Sequence, residues 1–119
     1  MKTTQEIADR LYELCSRNLF EQAQRELFAN DAESIEQHET EGFQTVKGLD
    51  AIIAKGDQFQ AAVEEMHGGY VNVPLVFGNN IFMEMGMDVT MKGAPRMDMA
   101  EMCHYLVKDG KIVSETFYY

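Results

Sequence analysis

Apolar residues recur at helical spacing three times in the first half of the chain and alternate after it. Ile7, Leu11, Leu14 and Cys15 share one helical face. Thr3 and Glu6 stand before it at the separation of a capping box. These positions predict a first helix reaching about Arg17. Asn18 is the candidate cap of a second, with Phe20, Ala23, Leu27 and Phe28 on its apolar face and Asn30-Asp31 as its stop. Glu33 to Glu39 carries no apolar stripe and is expected as a short strand. A loop from Thr40 to Lys47, containing Gly42, leads into Gly48-Leu49-Asp50, which opens a third helix with Ile52, Phe59, Val63 and Met66 on one face. His67-Gly68-Gly69 is expected to end it, because glycine tolerates the left-handed backbone of a helix C-terminus. His67 would then face the negative end of the helix dipole.

From Tyr70 onward the pattern is that of strands. Val71, Val73, Leu75 and Phe77 alternate, and Pro74 among them marks an edge or a bulge, since it donates no ladder hydrogen bond. Gly78-Asn79-Asn80 turns into the longest strand, Ile81 to Met91. There Ile81, Met83, Met85, Met87, Val89 and Met91 line one face, and Phe82, Glu84, Gly86, Asp88 and Thr90 the other. Lys92 to Pro95 turns again. Met97 to Tyr119 reads as two strands joined by Lys108-Asp109-Gly110-Lys111, and Asp-Gly between alternating runs is a strong hairpin signal.

A length of 119 residues suits one domain spanning 1–119 with one core. A net charge of -10, with 10 basic against 20 acidic residues, argues against nucleic acid and against anionic membrane surfaces. Cys15 and Cys103 fall in apolar patterns and fit buried free thiols in a reducing compartment. With neither an apolar signal region nor a membrane-length apolar run, a cytoplasmic location is expected.

Three segments, Asn30-Asp31-Ala32, Gly48-Leu49-Asp50-Ala51-Ile52 and Val107-Lys108-Asp109-Gly110-Lys111-Ile112-Val113, together with the order of elements, give the chain a resemblance to a known superfamily. It resembles nuclear transport factor 2-like proteins, particularly SnoaL-like and ketosteroid-isomerase-like members. The resemblance implies an α+β fold in which a cone-shaped, curved mixed sheet wraps three N-terminal helices, a cystatin-like α+β barrel. It also implies a pocket at the wide end and a homodimer through the outer sheet face.

Residue by residue, the resemblance places Gln37 where ketosteroid isomerases carry a carboxylate base, and an amide lacks that basicity. Their second acid falls at Cys103. Against limonene-epoxide-hydrolase-like members, Asp88 matches one carboxylate, while Gly86 and Phe117 replace the arginine and the other aspartate. On this alignment Gln37, Glu84, Asp88, Glu101, Cys103, Tyr105, Glu115 and Tyr119 face inward and the methionine stripe outward. Asp88 or Glu84 is then the candidate base, with His38 or Tyr105 as polar contact. Gln37, Glu101, Cys103, Tyr105, Glu115, Phe117 and Tyr119 are candidate ligand contacts. The competing reading of Glu84, Asp88 and Glu101 is a solvated sheet face.

Glu36, His38 and Glu39 are close in sequence but alternate between faces, so no metal site is expected. His104 and Cys103 are opposed for the same reason. Glycine spacing matches no phosphate loop, and no nucleophilic serine motif occurs. The expected function is the binding of a small, largely apolar molecule, with cofactor-free isomerisation, cyclisation or hydration by proton transfer. The alternative is a non-catalytic dimeric interaction module, distinguished by a filled interior.

Overall fold

A computed structural model describes residues 1–40 and 43–119; the loop glycine Gly42 lies outside the described residues. The elements run α1 Thr4–Ser16, α2 Phe20–Leu27, β1 Phe28–Glu36, β2 Val46–Lys47, α3 Leu49–Ala62, β3 Val63–Val71, β4 Leu75–Phe77, β5 Asn80–Met91, β6 Arg96–Lys108 and β7 Lys111–Tyr118. The fold is α+β, as expected. Its sheet is mixed: β1 and β7 pair in parallel and the other pairs are antiparallel, in the order β2-β1-β7-β6-β5-β3, with β4 beside β5. The sheet curves around the helices as an open cone and does not close into a barrel.

Local chemistry explains the elements that match. Thr3 accepts from the Glu6 amide while the Glu6 carboxylate accepts from the Thr3 amide, so α1 starts on a complete capping box. Asp109 and Gly110 both adopt positive φ, 52° and 75°, the backbone that a two-residue hairpin turn requires. Ile7, Leu11 and Leu14 of α1, Leu27 of α2 and Ile52 of α3 are buried against Ile81, Met83, Cys103, Tyr105, Val107 and Ile112 of the sheet. Each of these larger aliphatic side chains contributes roughly 1.5–3 kcal/mol through burial.

The elements differ in several places: Val46–Lys47, expected as loop, form β2 against β1, and three boundaries move. The second helix gives way to strand at Phe28, so β1 starts five residues before the expected Glu33 and ends at Glu36. The third helix ends at Ala62, and Val63, Met66 and His67 lie in β3. His67 is therefore no helix-terminal residue, and Gly68-Gly69 continues a strand. β-branched Val63 and the pairing of β3 with the whole outer half of β5 outweigh the helical spacing of Val63 and Met66. The expected single strand Tyr70 to Phe77 is instead two, interrupted at Asn72 to Pro74, where the proline donates no ladder hydrogen bond.

Register fixes which face each residue occupies. Met83 pairs with Cys103 and Met85 with Glu101, so the methionine row of β5 shares a face with Glu101, Cys103 and Tyr105. Met83 and Val89 are fully buried. The expectation of an outward methionine stripe is thus overturned: the apolar face of β5 covers the core, as the hydrophobic effect demands. Glu84 and Asp88 occupy the outer face.

Candidate functional site: a lysine among three inward carboxylates

The inner face of the sheet collects charge where β1, β7 and β6 lie side by side. Ser34 pairs with Glu115, and Glu36 with Phe117, in the parallel register of β1 and β7. Tyr105 pairs with Glu115, and Cys103 with Phe117, across β7 and β6. These residues therefore point together toward α3, which supplies Lys55. The Lys55 ammonium donates to Glu36 Oε2 at 2.7 Å and to Ser34 Oγ at 3.0 Å. It also lies 5.4 Å from the centre of the Phe117 ring, within range of a cation–π contact. Both members of the Lys55–Glu36 pair are withdrawn from water, with side chains 13% and 5% exposed.

Glu115 is the deepest carboxyl. Burial pushes it up to about 7, while a Ser34 hydrogen bond and the charge of Lys55 pull the other way. Burial also raises Glu101, reinforced by the negative charge of Glu36; Lys55 and a long hydrogen bond from Cys103 Sγ at 3.8 Å oppose it. One lysine thus faces three carboxyls. It neutralises Glu36 directly and leaves Glu115 inclined to hold its proton near neutral pH, with Glu101 raised in the same direction. Such a carboxyl can give and take a proton under physiological conditions.

Cys103 and Tyr105 flank the cluster as neutral groups, their acidities suppressed chiefly by burial. Cys15 is pushed up to about 12 by burial and then by the charge of Glu115. Both cysteines are free and buried, and neither is a thiolate nucleophile. At the rim, the Tyr119 hydroxyl donates to Glu36 Oε1 at 3.2 Å and to the His38 carbonyl at 3.3 Å. The His38 and Tyr119 rings meet edge to face, 6.2 Å apart.

The structure therefore divides the expected site. Glu101, Cys103, Tyr105, Glu115 and Phe117 come together on the inner face, with Tyr119 and His38 at its rim. Gln37 is exposed beyond the end of β1, and the inward acid of the first strand is its neighbour Glu36. A carboxylate is thus present on that strand after all, held by Lys55. Glu84 and Asp88 lie on the opposite face: Glu84 accepts from the Tyr70 hydroxyl, and Asp88 is clamped by Arg96 at 2.7 and 2.9 Å. The guanidinium holds Asp88 below its ordinary range, which weakens it as a base. Lys55 and Glu36 were missed by sequence reasoning. The usable signal for Lys55 was its helical spacing from Ile52 and Phe59, which sets a lysine on an apolar stripe.

The outer face carries its own features. A shallow hollow of about 310 Å³ is lined by Glu84, Ala100, Glu101, Met102 and Tyr118. Around it Leu75, Phe77, Met102, Leu106 and Tyr118 expose large apolar side chains, Phe77 to 76%.

A family model described as a SnoaL-like domain matches residues 2–119. The chain belongs to the SnoaL-like domain family. A crystal structure from Mesorhizobium loti, provisionally assigned as a SnoaL-like polyketide cyclase, is 34% identical to this SnoaL-like chain. The match covers 99% of this chain and 100% of that one with a TM-score of 0.93. A Xanthomonas campestris protein of unknown function with a cystatin-like fold is 12% identical, covering 98% and 90% of the two chains at a TM-score of 0.81. TerC, co-crystallised with polyporic acid, is 13% identical, covering 98% and 90% at a TM-score of 0.74. The last two similarities are of fold alone. Among curated proteins, none matches the chain significantly. Among the described residues, no helix is long and apolar enough to cross a membrane, and no group of three or more His, Cys, Asp or Glu is arranged to hold a metal ion.

Proposed function

We propose that this SnoaL-like protein binds a small, largely apolar molecule against the inner face of its sheet and moves a proton on it without a cofactor. The observation that carries the reading is the buried Glu115 carboxyl, with Glu101 beside it, in a cluster held by a single lysine. Glu101 and Glu115 act as the proton-exchanging pair. Lys55 holds Glu36 in place and supplies the positive charge toward which a developing enolate or alkoxide turns. Met85 and Phe117 supply soft apolar contact, and Tyr119 and His38 stand at the entrance. Isomerisation, cyclisation and hydration all fit this equipment, since each requires placed acids and bases and no redox partner.

TerC was co-crystallised with polyporic acid, which makes that compound the natural first member of a panel of small ring compounds. Native mass spectrometry and thermal-shift measurement should find at least one panel member bound once per subunit. Glu101→Gln should weaken that binding or abolish turnover by 100-fold or more, the usual span of a lost general acid or base. A panel without a single stabilising member, or one whose binding ignores Glu101→Gln and Lys55→Met alike, would instead support a non-catalytic interaction module.

The same reading places a second copy of the chain on the outer face. Leu75, Phe77, Met102, Leu106 and Tyr118 form an apolar surface of the kind that marks protein association, and Tyr118 and Met102 border a hollow that a partner side chain would fill. Phe77→Asp combined with Leu106→Asp should convert a dimer into a monomer in light scattering, with the far-ultraviolet circular dichroism preserved. A wild-type monomer at high micromolar concentration would remove this part of the reading.

A further inference from the structure

The outer face holds a second cluster, at the end of the strands away from the apolar patch. His67 stands in β3 where the register with β5 shifts between Met66 and Gly68. Such an irregularity re-aims a side chain, and here it directs the imidazole across to β5. His67 Nδ1 lies 2.8 Å from Glu65 Oε2, and Nε2 lies 2.8 Å from Thr90 Oγ1. The carboxylate on Nδ1 selects the tautomer in which Nδ1 carries the proton and Nε2 accepts. The Thr90 hydroxyl then donates to Nε2. Carboxylate, imidazole and hydroxyl stand in the order that activates an alcohol as nucleophile.

Register adds a cation. Thr90 pairs with Glu65 on one side and with Arg96 on the other, so Arg96 projects from the same face directly across from the hydroxyl. Its ion pair with Asp88, at 2.7 and 2.9 Å, keeps it beside Thr90 instead of free in solvent. The floor next to the imidazole is open, because Gly68 has no side chain and nothing lies within 4 Å of where a Cβ would stand. The imidazole itself is sheltered, 17% exposed, while its Glu65 partner is 66% exposed. None of these residues belongs to the inner cluster.

We propose that Glu65, His67 and Thr90 form an acyl-transfer site on the outer face that takes small activated carboxylic esters. Thr90 Oγ attacks the ester carbonyl as its proton passes to His67 Nε2, and Glu65 stabilises the imidazolium. Arg96 faces the oxyanion. The tetrahedral adduct collapses with loss of the alcohol or phenol, which takes the proton from His67, and Thr90 is left as its acyl ester. Water, deprotonated by His67, releases the acid and restores the hydroxyl.

The test is incubation of the full chain with excess p-nitrophenyl acetate, acid quenching during turnover so that the acyl ester is trapped before water releases it, and peptide mass mapping. Thr90 should carry one acetyl group, and its acetylation should be slower by about 100-fold or more in His67→Gln, the usual scale for loss of a general base. Thr90→Val should lose the label and keep the wild-type melting temperature. Acetylation confined to lysines and the amino terminus in the wild type overturns the proposal, as does equal labelling of Thr90 in wild type and His67→Gln. The wild-type map decides the matter even if a variant fails to fold. Because the inner carboxylates take no part, loss of this labelling and loss of ring-compound binding are independent results.

Discussion

Glu115→Gln is expected to make the protein more stable at pH 8 by up to about 3 kcal/mol while changing little at pH 5. Burial lifts Glu115 from 4.5 to about 7 in the folded chain. Between those values the folded state holds a proton that the unfolded state has released. Wild-type stability from this group is therefore complete below about 4.5 and falls as pH rises through 7. A difference of this size corresponds to roughly 3 kcal/mol at about 1.4 kcal/mol per pH unit, or a melting-temperature gain of the order of 10 °C in a domain of this length. Glutamine keeps the shape of the neutral acid and cannot ionise, so the variant escapes the loss. Thermal melts of both proteins between pH 5 and pH 8 measure it. A variant with the wild-type slope, or one less stable throughout, would show that Glu115 is not held as a neutral acid.

The opposite sign is expected at the centre of the cluster. Lys55→Met should destabilise the protein by about 3–5 kcal/mol at pH 8, the usual cost of removing one partner from a buried ion pair. Glu36 then loses its 2.7 Å donor and Ser34 loses its own at 3.0 Å. The cation whose charge lowers both Glu101 and Glu115 disappears with it. Methionine replaces the aliphatic stem, so the loss reports charge more than packing. It should shrink on acidification, because neutral carboxyls need no cation. Combining Lys55→Met with Glu36→Gln should recover part of the stability, as contacting residues do not add. A Lys55→Met protein as stable as wild type at pH 8 would mean that the cluster is open to water and screened.

The inner cluster also explains why Glu84 and Asp88 misled. A row of acids on a clean alternating strand draws attention as candidate chemistry, and the resemblance to hydrolase-like relatives gave Asp88 a role. Alternation alone carried the better information: a face of isoleucine, valine and methionine opposite a face of glutamate, aspartate and threonine goes inward. Glu101, Cys103, Tyr105 and Glu115 face inward as the alignment implied, held there by the pairing of β6 with β5 and β7 on the far side of a register shift between Leu106 and Val107. Glu36 was passed over because β1 is polar on both faces, so its period could not say which side was buried. The displaced end of α3 has a related cause. Val63 and Met66 satisfy helical spacing, yet pairing with β5 across the strand satisfies their backbone more fully than another helical turn would.

By itself the sequence determined the α+β class, the start of α1, the Asp109-Gly110 turn and the succession of three helices and late strands, though not β2 or β3, because capping, turn chemistry and hydrophobic period act over a few residues. The tertiary structure alone decided that Lys55 of α3 meets Glu36 of β1 and Glu115 of β7. Such a meeting depends on the parallel register of two strands whose paired residues lie more than eighty positions apart in the chain, and no local preference encodes it.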